Sequence, residues 1–252
     1  MATQAVEEAG EVLVSHFQGK KEIRSKGRSN LVTDADLLSE KVILGLLKSE
    51  YPSHGILSEE SDNIAAASDY TWIVDPLDGT NNYVFGLPFF CTTIALAAGE
   101  DILLGVTYAP LQKELFRAQK GQGAYLNGSP ISVSSQTSLP TSSIGLDMGY
   151  DADKGRELLE VIRGLWPGVH SLRIMGSAAL GLAYVACGRL GLYFHRSLYP
   201  WDLASGILLV RESGGTGTDW EGKEASIHCS EIIAANATLH QEFLELLQSQ
   251  GD

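Results

Sequence analysis

The stretch TWIVDPLDGTNNY, Thr71 to Tyr83, limits the possible folds more than any other in the chain. Three β-prone apolar residues, Trp72-Ile73-Val74, stop abruptly at Asp75-Pro76-Leu77-Asp78-Gly79-Thr80. A strand that ends in two carboxylates leaves its sheet where α/β folds keep their functional groups. Pro76 supplies no amide, so it is predicted to end the pairing and turn the chain. Asp78 to Asn82 then read as the first turn of a helix, with free N–H groups pointing outward. Carboxylates beside such amides suit a divalent cation and a phosphate together, magnesium above all, which takes few carboxylates and shares phosphate oxygens. Alone, the stretch has a plainer reading: Asp-Pro and Asp-Gly are common turn dipeptides, and Asp78 could simply cap a helix.

The surrounding pattern is that of a layered α/β protein. Val6, Ala9, Leu13 and Phe17 recur at helical spacing, predicting a helix over 3–18. KKEIRSKGRSN reads as a polar, basic loop, and a second helix covers 36–49 and ends before Pro52. Strands are predicted at 71–75, 90–98, 102–108 and 113–118, with Asn127-Gly128 as a hairpin turn. Strands at 142–148, 169–175, 189–195, 215–219 and 231–235 then alternate with helices at 153–165, 177–187, 202–213 and 238–249. SVSSQTSLPTSS is the best boundary, dividing an N-terminal α+β half, 1–135, from a C-terminal α/β half, 136–252, packed as one unit.

Composition narrows the class. With 252 residues, 44% of them apolar, the sequence can fill a core. The formal charge of −13 disfavours nucleic acid and anionic membranes as partners, because both reward a basic surface. Cys91, Cys187 and Cys229 form no CxxC pair, so no disulfide framework or thiolate zinc site is indicated. Neither a signal peptide nor a membrane-length apolar run is present, which predicts a cytoplasmic protein.

Further acids lie along the chain, each with a dull explanation of its own. Glu59 and Glu60 follow a short apolar run and would pass for a solvated face. Asp202 opens an apolar helix, and Thr33 with Asp36 resembles a capping box.

Taken in order, LVTDAD, SEES, IVDPLDGTNNY, GSAAL and PWDLASG resemble the inositol monophosphatase family over nearly the whole chain. The resemblance implies a magnesium-dependent phosphomonoesterase with the α-β-α-β-α sandwich shared with fructose-bisphosphatases, commonly a homodimer. Glu59, Asp75 and the Leu77 carbonyl would hold one magnesium, while Asp75, Asp78 and Asp202 would hold a second; two or three ions are expected. Glu60 would support the site. Asp36 and Thr80 would orient the attacking water, and the Gly79 and Thr80 amides would hold phosphate. Gly176, Ser177 and Ala178 would meet the substrate ring.

His195 is the informative departure. It stands seven residues before Asp202, where the family typically carries a glutamate. It either tunes selectivity among polyols and sugars or merely ends a strand at the surface. Arg196 beside it could meet a second phosphate, and a mobile lysine of the basic loop, Lys26, could flank the site. The expected substrate is a small cyclitol or sugar phosphate, inositol 1-phosphate first. Fructose 1,6-bisphosphate, alone or as a dual activity, comes second; histidinol phosphate or an adenosine bisphosphate follows, the adenosine compound least favoured because relatives acting on it are usually longer. A non-catalytic phosphate-sensing module comes last, because sensing needs no water-orienting pair. A calcium-binding loop of the D-x-D-x-D-G type is absent from the sequence.

Overall fold

A computed structural model describes residues 1–19, 21–27 and 30–250, with the backbone alone at 26, 27, 30 and 250. In chain order the first elements are α1 (Ala2–Phe17), β1 (Ile23–Gly27), β2 (Asn30–Thr33) and α2 (Asp34–Glu50). Then come β3 (Gly55–Ser58), β4 (Tyr70–Asp78), the short helix α3 (Thr80–Val84), β5 (Cys91–Ala98) and β6 (Asp101–Ala109). β7 (Glu114–Gln119), β8 (Ala124–Leu126) and β9 (Ser129–Pro130) follow. A second group comprises β10 (Ser143–Asp147), α4 (Ala152–Leu165), β11 (Ser171–Ile174), α5 (Ala178–Ala186) and β12 (Leu192–Arg196). The chain ends with α6 (Pro200–Glu212), β13 (Thr216–Thr218), β14 (Glu231–Ala235) and α7 (Ala237–Gln250).

Two sheets organise the layers. One runs β3-β4-β5-β6-β7-β8-β9 and is antiparallel except for the parallel β3–β4 pair. The other runs β11-β10-β12-β14-β13, with β11, β10 and β12 parallel. Side chains alternate across each strand, and this sorts them into separate cores. Trp72, Val74 and Ile94 face α1 and α2, where Val6, Ala9, Ile43 and Leu47 meet them. Ile73 and Ala95 point the other way, onto α5 and α6. The same helices receive Tyr193, Ile232 and Ala234 of the second sheet. Leu192, Phe194 and Ile233 face outward to α4 and α7, against Leu158, Leu239 and Phe243. The result is the α-β-α-β-α order of layers.

Two sequence expectations need correcting. Pro76 does not end the strand: β4 runs on to Asp78 through a bulge, with Asp75 opposite Thr93 but Asp78 opposite Cys91. Three steps on β4 against two on β5 leave Pro76 and Leu77 outside regular pairing, so the missing amide is not needed. The basic segment is not a plain loop either, since Ile23–Gly27 and Asn30–Thr33 pair as an antiparallel hairpin. Lys20, Arg28 and the side chain of Lys26 lie outside the described residues, so the lysine expectation falls there too.

Candidate active site

Two neighbouring strands of the seven-stranded sheet and one helix deliver four acids to one cavity. Glu59 follows β3, Asp75 and Asp78 end β4, and Asp202 sits in the first turn of α6; all four line the cavity with Leu77, Gly79 and Thr80. Carboxylate oxygens of Asp75, Asp78 and Asp202 lie within 4.8 Å of one another. Glu59 shares the wall but stands outside that group.

Each acid is held by its own surroundings. Leu77 N–H donates to Asp75 Oδ1 at 2.9 Å across the bulge. Tyr199 N–H donates to Asp202 Oδ2 at 2.7 Å, the helix-capping bond that sequence reasoning set against a functional role; the residue has both places at once. Asp78 receives the start of α5: Ser177 Oγ and Ala179 N–H, at 2.9 Å, donate to Oδ2, and Ala178 N–H donates to Oδ1 at 3.3 Å. Helix-terminal amides stabilise a carboxylate placed there.

The electrostatics are those of a cation site. Burial, and then the charges of Glu59, Asp78 and Asp202, raise the Asp75 carboxyl well above its ordinary range. Burial and the Asp78 charge do the same to Asp202. Burial raises Asp78 against the pull of its donors. Oxygen donors packed so closely, at this cost in desolvation and repulsion, fit a hard divalent cation, which offsets both.

Asp36 and Thr80 meet beside this group. Asp36 Oδ2 closes the capping box of α2, accepting from Thr33 N–H at 2.8 Å and from Thr33 Oγ1 at 2.5 Å. Its Oδ1 lies 3.2 Å from Thr80 Oγ1, which is also 3.0 Å from the Leu77 carbonyl. Burial pushes Asp36 up to about 6. Gly79, at φ +93°, turns the chain into α3, and a Cβ there would come 3.0 Å from the Gly176 carbonyl. The helix turn expected from Asp78 begins at Thr80, and at five residues α3 offers amides rather than a long dipole.

The predicted substrate residues divide. Gly176, Ser177, Ala178 and His195 line the cavity. His195 is not a surface residue: it is 5% exposed, burial pushes its pKa down to about 4, and Nδ1 has no partner. Arg196 is not available to a second phosphate. Its guanidinium bonds Glu157 and, at 3.1 Å, Glu231, and lies over the Trp220 ring, away from the cavity lining. Glu60 is half-buried and likewise does not line the cavity.

Several residues at the site went unread in the sequence. Glu40, buried, accepts from Ser58 Oγ at 2.5 Å and Ser61 Oγ at 3.0 Å, bracketing Glu59 and Glu60. Its i,i+4 spacing from Asp36 was the available signal. Asp147 lines the cavity, accepts from the Gly176 amide and, at 2.8 Å, from Tyr193 Oη, and is pushed up to about 7 by burial. Asn82 Nδ2 donates to the carbonyls of Phe89 and Met175 at 2.7 and 2.9 Å, fixing the turn before Gly176.

Comparisons with known proteins show likeness over the whole chain. The sequence model of the inositol monophosphatase family matches residues 1–252. Inositol monophosphatase 1 of Solanum lycopersicum is 41% identical over 257 residues, covering 98% of this chain and 93% of that protein. The crystal structure of the extragenic suppressor protein suhB from Bartonella henselae matches at a TM-score of 0.94 and 38% identity, covering 98% and 96% of the two chains. The inositol monophosphatase from Anabaena (Nostoc) sp. PCC 7120 gives 0.88 at 35% identity, covering 98% and 94%.

Proposed function

The chain belongs to the inositol monophosphatase family, a family of phosphatases, and from that we propose a magnesium-dependent phosphomonoesterase that hydrolyses inositol 1-phosphate to inositol and phosphate. The observation that carries the reading is the convergence of Asp75, Asp78 and Asp202 within 4.8 Å, in a cavity shared with Glu59 and Thr80. Glu59, Asp75, the Leu77 carbonyl, Asp78 and Asp202 would hold two or three magnesium ions. Bound there, magnesium supplies positive charge against the phosphate dianion and lowers the pKa of water.

The chain's own groups do the rest. Thr80 cannot remove a proton unaided. When Asp36 accepts its hydroxyl proton, the Thr80 oxygen is left to accept from a water and aim it at phosphorus. The Gly79 and Thr80 amides hold phosphate oxygens, as the family likeness suggests. Gly176 to Ala178 and His195 flank the leaving alcohol. His195 is neutral at pH 7 and can share a hydrogen bond with a hydroxyl without adding charge.

Fructose 1,6-bisphosphate ranks second and histidinol phosphate third. The ion pairs of Arg196 weaken the bisphosphate reading, since they occupy the cation expected to meet a second phosphate. The sensing module stays last, given the Asp36–Thr80 pair. We read the working form as a cytoplasmic homodimer, which sedimentation and fractionation would check; no described helix is long and apolar enough to cross a membrane. The test is phosphate release from a panel of these esters with and without magnesium. Magnesium-dependent turnover, lost in Asp75→Asn, is expected; no release from any ester overturns the reading.

A further inference from the structure

The helix that carries Asp202 is seated by a row of buried hydroxyls. Asp75, Thr93 and Thr107 stand opposite one another on β4, β5 and β6. Paired positions share a face of the sheet, and this is the face that receives α6. Thr93 Oγ1 donates to the Val106 carbonyl at 3.1 Å and lies 2.9 Å from Thr107 Oγ1. Thr107 Oγ1 in turn lies 2.9 Å from Ser205 Oγ of α6. Thr93, Thr107 and Ser205 are all buried. Each hydroxyl has one proton, and Thr93 commits its own to Val106, so Thr107 donates to Thr93 and Ser205 to Thr107.

Apolar contact between a helix and a sheet has no preferred direction, so by itself it leaves the helix free to slide and roll. Two features stop α6 from doing either. At Gly105 of β6 a Cβ would come 2.9 Å from Ser205 Cα and from its carbonyl oxygen, so the helix backbone rests directly on the strand. The Ser205 hydrogen bond then fixes the rotation of α6 and its place along the axis, because such bonds are directional. Asp202 lies three residues earlier, on much the same side of the helix and about 4.5 Å along it. The path Asp75, Thr93, Thr107, Ser205, Asp202 closes on itself where the two carboxylates come within 4.8 Å.

We propose that Thr93, Thr107 and Ser205 are positioning residues for the metal-binding carboxylates, holding α6 where Asp202 faces Asp75 and Asp78. The inference rests on the magnesium reading and deepens it. None of the three lines the cavity, so they act through α6 rather than on an ion or a substrate. Magnesium demands near-ideal octahedral geometry, and a small shift of one carboxylate therefore costs affinity. Loosening groups behind a ligand lowers metal affinity by about 10–100-fold.

The test is calorimetric titration of the full chain with magnesium alone, in a pair of variants that separates hydroxyl from volume. Thr107→Val keeps the branched shape and loses the hydroxyl, whereas Thr107→Ser keeps the hydroxyl and loses a methyl group. We expect the magnesium Kd to rise about tenfold in Thr107→Val and to stay near that of the unaltered protein in Thr107→Ser. Chemical denaturation should nonetheless find Thr107→Ser destabilised by the space its methyl leaves. A merely structural role would make affinity follow stability instead. Ser205→Ala removes the last hydroxyl and keeps a good helix former; it should match Thr107→Val, and it decides if Thr107→Val does not fold. An equal rise in Thr107→Ser and Thr107→Val overturns the row. Magnesium binding that Thr107→Val and Ser205→Ala leave unmoved sinks the row only, whereas no binding to the unaltered protein sinks the magnesium reading and the row with it.

Discussion

Thr80 Oγ1 stands 3.2 Å from Asp36 Oδ1, joining residues 44 positions apart, the first turn of α2 and the start of α3. The hydroxyl has one proton and a second acceptor, the Leu77 carbonyl at 3.0 Å. Removing the hydroxyl or the acceptor should therefore cost chemistry more than binding. Thr80→Ala and Asp36→Asn are each expected to lower kcat by about 10²–10⁴, with KM nearly unchanged. Magnesium titration by calorimetry should still show binding in Thr80→Ala; loss of that binding would mean the pair is part of the cation site instead.

Stability of the metal-free protein should fall as pH rises. Asp36 is pushed up to about 6 and Asp147 to about 7, chiefly by burial, and burial with neighbouring carboxylates raises Asp75 and Asp202 as well. An unfolded Asp titrates near ~3.9, so the folded form holds protons that the unfolded form has already lost. That contribution is complete below about pH 4 and disappears as pH passes through 6 to 7. In chelator, the melting temperature is expected to drop between pH 5 and 8, and saturating magnesium should flatten the slope. A melting temperature that climbs steadily through this window in chelator would contradict it.

Glu40 touches no substrate, yet it fixes Ser58 and Ser61 on either side of the two glutamates. Glu40→Ala should raise the magnesium concentration for half-maximal activity by about 10–100-fold, the usual effect of loosening groups behind a ligand. The rate at saturating magnesium should largely recover. An unchanged magnesium requirement would show that Glu59 is placed without it.

Gly176 takes φ +72°, and a Cβ there would lie 2.6 Å from the Asn82 amide. Gly176→Ala should cost about 1–3 kcal/mol from the backbone conformation alone, before the displacement of Asn82. Chemical denaturation measures it, and Asn82→Ala made alongside should remove the steric share but keep the conformational one.

Arg196→Ala should leave KM for both inositol 1-phosphate and fructose 1,6-bisphosphate as it was, while costing about 1–2 kcal/mol of stability from lost ion pairs and ring contact. A selective rise in KM for the bisphosphate would restore the arginine to the site.

Much of the fold can be read from apolar patterning, because outer helices such as α1 and α4 bury one face while the central strands, buried on both, read as continuous apolar runs. β14 falls at 231–235 as its apolar run predicts. The hairpin of Ile23–Gly27 and Asn30–Thr33 escapes, since Lys, Arg and Ser carry no strand signal and its pairing is a matter of backbone alone. Pro76 misleads because a bulge removes the need that a proline normally frustrates. The acids at the site were legible only as an ordered set of motifs, each short enough to pass for a cap or a turn. Asp147 and Tyr199 belong to no such motif, so only three-dimensional proximity brings them in. Arg196 pairs with Glu157 and Glu231, partners that a sequence does not show.

Asp75, Asp78, Asp202 and Asp36 each accept a main-chain N–H, so their positions are inherited from the scaffold of strand, bulge and helix ends. On the proposed reading, an arriving ion would meet acids whose backbone anchors are already set. Magnesium would then act as a dissociable visitor, and its free concentration in the surrounding fluid would throttle the rate.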